Sequence, residues 1–248
     1  LALKLDHEYS IFDRDGDPSY VTGSRSLIDY SLSWANEWAW GYITPAVSLK
    51  HRAYDLDLNN SAFVNDSPSV TVPVYSIDGG LFLERDTHWL GDLTQTLEPR
   101  LYYVNAASKD QSALPDFDTS EMTVAYDRLF ADNRFGGGDR IADEQRLTVA
   151  LTSRFISKKT GQERFKISLA QSIYYADRQV TLPGSTAVLS QSPMALDFTA
   201  RFKANWRITG DVVYDKDKSL IEKASIGIRY NDGKNRLFNL THRYTRDD

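Results

Sequence analysis

The stretch from position 146 to 155 reads Arg146-Leu147-Thr148-Val149-Ala150-Leu151-Thr152-Ser153-Arg154-Phe155. Apolar side chains occupy most of its odd positions, and charged or hydroxyl side chains occupy most of its even positions. Because successive side chains of a β-strand point to opposite faces, this stretch predicts a strand with one apolar face and one polar face.

The same period of two recurs along the chain. Apolar residues occupy alternate positions in several other segments, among them Ile28, Tyr30, Leu32 and Trp34, then Leu101 and Tyr103, then Phe165 and Ile173, and then Leu196, Phe198 and Phe202. The runs are about twice as long as the strands of soluble proteins, which average about 5–6 residues. A tilted strand needs about 9–11 residues to cross a bilayer. Length and repetition therefore favour an all-β fold, an antiparallel transmembrane β-barrel, over a soluble β-sandwich.

Composition excludes several other classes of protein. Hydrophobic residues make up 41% of the chain and charged residues 25%, which is not the composition of a disordered chain. No run of about 18 apolar residues occurs, so the sequence contains no transmembrane helix. Cysteine is absent, which removes disulfides and thiolate chemistry, and the net charge of −5 argues against a nucleic-acid-binding surface.

Short and long connections alternate between the predicted strands. The short ones are Trp40–Gly41, Thr87–Leu90, Lys158–Gln162, Ile208–Gly210 and Asn231–Lys234. The long ones are Asp13–Arg25, Leu58–Val70, Asn105–Glu144 and Ala176–Pro193. Bacterial barrels have short periplasmic turns and long outer loops, so this alternation predicts about eleven spanning strands. Because single-chain bacterial barrels normally have an even number of strands, the odd count predicts that residues 1–248 form part of a larger barrel.

Parity also predicts which side chains face the barrel interior and which face lipid. The interior candidates are Arg100, Arg146, Arg154, Lys166, Arg201 and Lys203. The lipid-facing candidates are Leu93, Leu97, Leu147, Val149, Leu151, Ile167, Leu169, Phe198 and Phe202. Aromatic residues near the short turns predict a girdle at one membrane interface, with ordinary core packing as the alternative. These aromatic residues are Trp38, Trp40, Tyr42, Trp89 and Trp206.

The longest connection, Asn105–Glu144, is expected to lie outside the cell. It is too long for a connection without a role, and we expect it to fold over or into the barrel mouth, with a short hairpin around Glu121–Phe130. The alternative is an unstructured surface loop. Candidates for ion pairs that fix the loop are Arg128, Arg134, Asp139 and Arg140.

No pattern of catalytic or metal-binding residues stands out. None of the four histidines has the spacing of a metal ligand relative to another histidine or a carboxylate. The run Gly136–Gly138 lacks the Lys-Ser/Thr that follows the glycines of a phosphate-binding loop, and no Gly-x-Ser-x-Gly elbow occurs. The sequence therefore predicts a protein that is not an enzyme and that uses no metal or cofactor.

Two motifs carry a resemblance to a known family. The first is Thr94-Gln95-Thr96-Leu97-Glu98-Pro99-Arg100-Leu101-Tyr102-Tyr103. The second is Leu129-Phe130-Ala131-Asp132-Asn133-Arg134-Phe135-Gly136-Gly137-Gly138-Asp139-Arg140-Ile141-Ala142-Asp143. Together they resemble the lipopolysaccharide-assembly LptD family.

The resemblance implies a function, a location and a set of partners. It implies a translocon that inserts lipopolysaccharide into the outer leaflet of the bacterial outer membrane, within a barrel of about 26 strands. The partners it implies are lipopolysaccharide, an LptE lipoprotein plug inside the barrel, the periplasmic LptA bridge, and the barrel-assembly machinery during folding. LptA would dock on an N-terminal periplasmic domain. Against that family pattern, residues 1–248 lack the periplasmic domain, the early strands, the closing strands and the disulfide-forming cysteines.

Two other functions remain open at this point. One is an outer-membrane porin or nutrient transporter, which the generic barrel features alone would also fit. The other is a barrel enzyme such as an outer-membrane lipase or protease, for which we identify no set of nucleophile and base.

Overall fold

A computed structural model describes residues 1–13, 20–58, 65–88, 91–182, 191–203 and 205–246. Regular structure in these ranges consists of fifteen β-strands and one 3-10 turn, Asp127–Phe130. No helix in the same ranges is long and apolar enough to cross a membrane. In chain order the strands are β1 (Ala2–Phe12), β2 (Thr22–Ser33), β3 (Asn36–Trp38), β4 (Gly41–Asp57), β5 (Ser69–Leu81), β6 (Leu83–Thr87), β7 (Leu93–Ala106), β8 (Ser120–Glu121), β9 (Phe135–Gly136), β10 (Glu144–Ser157), β11 (Glu163–Tyr174), β12 (Met194–Phe202), β13 (Trp206–Asp215), β14 (Leu220–Asn231) and β15 (Leu237–Thr245).

Eleven of these strands form one antiparallel path. Its order is β1-β2-β4-β5-β7-β10-β11-β12-β13-β14-β15, so each long strand pairs with the next long strand in the sequence. The short strands β3 and β6 pair with β4 and β7, and β8 pairs with β9 outside the main sheet. The predicted all-β antiparallel fold is confirmed, and the path contains the predicted number of long strands. Within the described residues β1 and β15 have one neighbour each, so both edges of the sheet are open.

One predicted turn is misplaced. Ile208–Gly210 lies inside β13, and β12 ends before it at Phe202, where the next residue, Lys203, adopts a left-handed backbone with φ 55°. Gly210 serves packing, because a Cβ there would lie 2.4 Å from Cε1 of Phe198, its direct partner on β12. This glycine therefore marks a close contact between strands and not the predicted turn. A further short turn, at residues 216–219, joins β13 to β14.

The sheet has two chemically different faces. Direct cross-strand partners share a face, so the row Arg100, Ala150, Ala170 and Ala195 can be followed from β7 to β12. We call this the loop face, because residues 107–143 lie on it. The opposite, apolar face exposes large hydrophobic side chains along the whole path, among them Tyr30, Leu49, Ile77, Leu97, Leu101, Val149, Leu151, Ile167, Leu169, Phe202, Ile226 and Leu240.

Exposure on the apolar face follows parity with one clear exception. Val149 and Leu151 are 43% and 46% exposed, as expected for side chains that point away from the loop face. Leu93 is only 4% exposed, although its parity predicts an outward side chain. It lies at the end of β7 where Thr87 of β6 and Ser157 of β10 are its direct partners, and Lys158 donates a backbone hydrogen bond to Asp92. The parity of a residue gives the direction of its side chain, but it does not show whether neighbouring segments bury that side chain.

Candidate functional site

The candidate site is formed by residues 107–143, the docked loop, and the strands beneath it. Leu129 of the docked loop packs on Ala150, Ala170 and Ala195, whose small side chains leave room for it. The hydroxyl of Thr148 donates to the carbonyl of Leu129 at 2.7 Å. The prediction that this segment folds back is therefore consistent with a continuous contact between loop and sheet.

A buried ion-pair cluster joins the docked loop to β2. The Nη1 atom of Arg25 lies 2.7 Å from Asp139 Oδ1 and 2.6 Å from Asp118 Oδ1, and its Nη2 lies 2.8 Å from Asp118 Oδ2. The side chains of Arg25 and Asp139 are 2% and 0% exposed. Phe12 of β1 stacks on Phe117 of the loop with ring centroids 4.1 Å apart, which covers the cluster from one side.

Asp139 also organises the loop around itself. Its Oδ1 accepts the hydroxyl proton of Tyr54 at 2.9 Å. Its Oδ2 accepts the backbone N–H groups of Phe117 and Asp118 at 2.8 and 3.0 Å. A buried carboxylate with this many donors is well compensated for the loss of water.

Asp118 is the more exposed carboxylate of the cluster. Hydrogen bonds from Arg25 lower the pKa of Asp118 from 3.8 to about 2, and a hydrogen bond from the backbone N–H of Gly138 acts in the same direction. Gly138 fits here because it has no side chain: a Cβ would lie 2.5 Å from Cζ of Arg25. Its neighbour Gly137 adopts φ +76°, a conformation that favours glycine.

Two basic residues of β4 hold the middle of the docked loop. Arg52 donates from Nε to the carbonyl of Gly138 at 2.8 Å, and its Nη1 lies 2.5 Å from Asp29 of β2. Lys50 Nζ lies 2.9 Å from Asp132 Oδ1. Together with Arg25, these residues give the loop three cationic contacts on two strands.

The docked loop is also tied to the connection that follows β11. Arg134 donates to the backbone carbonyl of Asp143 at 2.8 Å, to its carboxylate at 3.0 Å, and to the carbonyl of Val180. The carboxylate of Asp143 in turn accepts the backbone N–H groups of Gln179 and Val180 at 2.6 and 3.2 Å. Two separate connections therefore form one hydrogen-bonded unit at this end of the sheet.

The four predicted loop residues have different roles. Asp139 and Arg134 form ion pairs, although Asp139 pairs with strand β2 and not within the loop. Arg140 donates to the carbonyls of Pro115 and Leu114 at 2.7 and 3.1 Å, and these contacts close the loop without a carboxylate. Arg128 is exposed and forms no ion pair with any described residue, so its predicted role is wrong. The hairpin predicted around Glu121–Phe130 has other bounds: Glu121 of β8 pairs with Phe135 of β9, and Phe130 ends the 3-10 turn between these two strands.

Three of the predicted interior residues of the strands carry carboxylate partners on the loop face. Arg100 Nη2 lies 2.5 Å from Asp78, Arg154 lies 3.0 Å from Glu98 and 2.8 Å from Glu163, and Lys166 lies 3.2 Å from Asp197. Arg100 also lies 3.7 Å from the ring centroid of Phe130 in the docked loop. Ion pairs therefore line the part of the loop face next to the docked loop.

The other three predicted interior residues differ from one another. Arg146 donates to the carbonyl of Ala131 in the docked loop and lies 3.4 Å from Glu144. Arg201 lies on the loop face, directly opposite Arg207. Lys203 is a correction: it lies exposed in the turn after β12, because its left-handed backbone ends that strand, and so it is not a strand residue of either face.

The aromatic residues of the predicted girdle also differ from one another in their surroundings. Trp38 stacks on Trp40 with centroids 5.2 Å apart, and both are exposed, as is Trp206 beside Tyr230. Tyr42 differs, because its hydroxyl donates to Asp78 on the loop face at 3.2 Å. Trp89 lies outside the described residues.

Sequence reasoning missed Arg25, Arg52 and Asp118. Arg25 is the last residue of the predicted loop Asp13–Arg25, although it shares the polar parity of Asp29 and Ser31 in β2. That parity was the available signal for Arg25. No signal in a single sequence pairs it with Asp118, which lies 93 positions away.

Comparison with known proteins identifies the family. The family model described as "LptD: LPS transport system D" matches residues 1–248. The chain belongs to the LptD family. It is 38% identical to the LPS-assembly protein LptD of Hahella chejuensis over 100% of this chain, and 39% identical to that of Pseudomonas syringae pv. syringae over 92%. The chain spans 32% and 26% of the lengths of these two relatives. The family resemblance of the two motifs is thereby confirmed.

Proposed function

We propose that this member of the LptD family is part of an outer-membrane β-barrel that inserts lipopolysaccharide into the outer leaflet. The observation that carries the proposal is the division of one long antiparallel sheet into an apolar face and a charged face that bears a docked loop. Monomeric soluble proteins rarely expose a continuous apolar surface of this extent. A lipid-exposed barrel requires one.

The open edges of the sheet support the barrel. Among the described residues, the outer edges of β1 and β15 pair with no other strand, and their free N–H and C=O groups are costly in hydrocarbon. We propose that further strands of one larger barrel domain pair with both edges, and that residues 1–248 form one continuous part of its wall. The relatives named above, of which this chain spans about a third or less, are long enough to supply such strands.

The two faces fit the handling of an amphipathic lipid. The apolar face would contact the bilayer, and the loop face, with its ion pairs of Arg100, Arg154 and Lys166, would line a polar interior for sugars. No covalent step is needed in such a transfer. Because the chain belongs to the LptD family, we also propose the LptE plug, the LptA bridge and the barrel-assembly machinery as partners.

The docked loop fits a role at one mouth of the barrel. It covers the loop face at the end of the sheet where the long connections lie, and buried ion pairs fix it there. We propose that this is the extracellular end and that the loop restricts free diffusion through the interior.

Depletion of the complete protein in its host tests the proposal. Lipopolysaccharide made after depletion should fail to reach the cell surface, as measured by surface labelling, and a plasmid copy of the protein should restore it. Conductance of the purified barrel in planar bilayers separates the alternative. A porin or nutrient transporter would conduct freely, and its depletion would leave surface lipopolysaccharide unchanged.

A further inference from the structure

Three arginines occupy directly opposite positions on neighbouring strands of the loop face. Arg201 of β12 faces Arg207 of β13, and Arg207 faces Arg229 of β14. None of the three forms an ion pair with a described residue, in contrast to Arg154 and Lys166 on the same face. Like charges directly opposite one another destabilise a sheet. This row therefore opposes folding unless something else neutralises it.

A cavity of about 360 Å³ lies beside this row. Its floor is Gly227 of β14, whose direct partners are Thr209 of β13 and Thr241 of β15. A Cβ on Gly227 would lie 3.3 and 3.5 Å from the two threonine hydroxyl oxygens, so these hydroxyls flank the glycine on both sides. The absence of a side chain at this position is what leaves the space open.

The polar side chains that line the cavity are hydrogen-bond donors. Arg207 and Arg229 supply guanidinium groups, and Thr209 and Thr241 supply hydroxyls. Asn239 accepts a hydrogen bond from Arg229 Nε at 3.1 Å through Oδ1, which leaves its NH₂ group free to donate. None of the described residues that line this cavity carries a carboxylate.

We propose that this arginine pocket, formed by Arg207, Thr209, Gly227, Arg229, Asn239 and Thr241, binds a phosphate group carried by a saccharide. Two guanidinium forks match the geometry of a phosphate, and charge-assisted hydrogen bonds of this kind are short and strong. Bound phosphate would neutralise the row of like charges. The inference of a phosphate depends on the pocket alone. The inference of a saccharide depends on the function proposed above.

A second cavity offers room for the saccharide. It has a volume of about 410 Å³ and shares Arg207 and Arg229 with the arginine pocket. Its lining includes the amide side chains of Asn205 and Asn231, which can both donate and accept hydrogen bonds. It also includes Asp232, whose carboxylate already accepts the backbone N–H groups of Lys234 and Arg236 in the neighbouring turn. Amide and guanidinium groups together suit sugar hydroxyls next to a phosphate.

Calorimetric titration of the complete protein in detergent micelles tests the proposal. The probes are glucose 1-phosphate, inorganic phosphate and glucose. We expect glucose 1-phosphate to bind more tightly than inorganic phosphate, and glucose not to bind. The double variant Arg207→Gln, Arg229→Gln should weaken glucose 1-phosphate binding about tenfold or more. The variant Thr209→Val, Thr241→Val, which keeps the charge, should weaken it about threefold or more.

A charge-matched control is available in the turn between β14 and β15. The double variant Lys234→Gln, Arg236→Gln removes the same charge outside both cavities and should bind as the unmodified protein does. Two results would overturn the proposed pocket: an equal loss of glucose 1-phosphate binding in this control, or full binding by the threonine variant. Either result would show that the arginines attract the phosphate only through general electrostatics. Equal binding of inorganic phosphate and glucose 1-phosphate would overturn the saccharide part alone.

Thermal unfolding excludes a purely structural role. Because the arginine row consists of like charges, the double variant Arg207→Gln, Arg229→Gln should unfold at the same temperature as the unmodified protein or higher. A lower unfolding temperature would show that the arginines serve the fold, and would overturn the proposal. The titration decides the pocket and the surface labelling decides the proposed function, so the two can fail separately.

Discussion

Arg25 of β2 and Asp139 of the docked loop form an ion pair of 2.7 Å whose two side chains are 2% and 0% exposed. The residues lie 114 positions apart, and the pair therefore connects segments that no local interaction brings together. Removal of one partner leaves the other buried charge with less compensation, which costs more than the pair itself contributes. The position of the docked loop depends on this pair more than on any exposed contact.

The variant Asp139→Asn should release the docked loop. It leaves the guanidinium of Arg25 with less compensation in a buried site and removes a charged acceptor from Tyr54, at a cost of about 3–5 kcal/mol. Limited proteolysis of the protein in detergent should cut within residues 107–143 of the variant much faster than in the unmodified protein. Asp116→Asn is the matched control, since Asp116 is exposed and its carboxylate accepts the backbone N–H of Thr119 at 3.1 Å. Equal protection of both variants would contradict the role of Asp139.

Gly138→Ala should disturb the same cluster through shape alone. The new Cβ would lie 2.5 Å from Cζ of Arg25, whose guanidinium is held by two carboxylates and cannot move freely. We expect a loss of about 1–3 kcal/mol, typical of overpacking in a tight site. Gly136→Ala is the control, because its nearest atom would be Met122 Cγ at an ordinary 3.5 Å. Thermal unfolding of both variants measures the difference, and equal stability would refute the steric argument.

The sequence predicts the sheet far better than it predicts the docked loop. The alternation in Arg146–Phe155 follows from the two faces of a strand, a local property that one segment reveals by itself. The same parity places Arg100, Arg154 and Lys166 on the loop face. The ion pair of Arg25 with Asp139 depends on tertiary contact between distant segments, and the sequence of neither segment predicts its partner.

The errors in the strand predictions have local physical causes. The turn predicted at Ile208–Gly210 is wrong, because Gly210 makes room for the ring of Phe198 across the sheet. The prediction that Lys203 is a strand residue is wrong, because it adopts φ 55° directly after the last residue of β12. Period-two patterning gives the parity of a strand and does not give its last residue, which is set by backbone conformation.

Acid should release the docked loop only at low pH. The pKa of Asp118 falls from 3.8 to about 2, chiefly because of its hydrogen bonds with Arg25. A carboxyl group with a lowered pKa in the fold stabilises it fully above the unfolded value and loses this effect as pH falls through the folded value. The contribution should therefore be complete at neutral pH, decline below 3.8 and be lost near 2.

An acid-active protease measures this pH dependence directly. Cleavage within residues 107–143 should rise between pH values near the two pKa values of Asp118. In Asp118→Asn, the loop should be cut readily already at the upper end of that window, and the dependence on pH should become flatter. The control Asp116→Asn should keep the profile of the unmodified protein. An unchanged profile in Asp118→Asn would assign the acid sensitivity to another group.

Arginine on the apolar face should destabilise the protein in lipid. Ile226 lies in the middle of β14, is 45% exposed and points to the apolar face, so Ile226→Arg should cost about 2–4 kcal/mol if this face meets the bilayer core. Ser225→Arg is the control at the same depth on the loop face, where Asp211 lies directly opposite. Unfolding in lipid vesicles measures both. Equal losses would show that the apolar face does not contact lipid.

The proposed topology predicts that the docked loop is reached from outside the cell. The chain contains no cysteine, so a single cysteine introduced into it reports one position within the chain. Ser112→Cys places it at an exposed position of the docked loop, and Thr160→Cys places it in the exposed short turn between β10 and β11, at the opposite end of the sheet. A membrane-impermeant maleimide should label position 112 in intact cells, and position 160 only after the outer membrane is opened. Labelling of position 160 alone in intact cells would reverse the orientation, because the two ends of an antiparallel spanning sheet lie on opposite sides of the membrane.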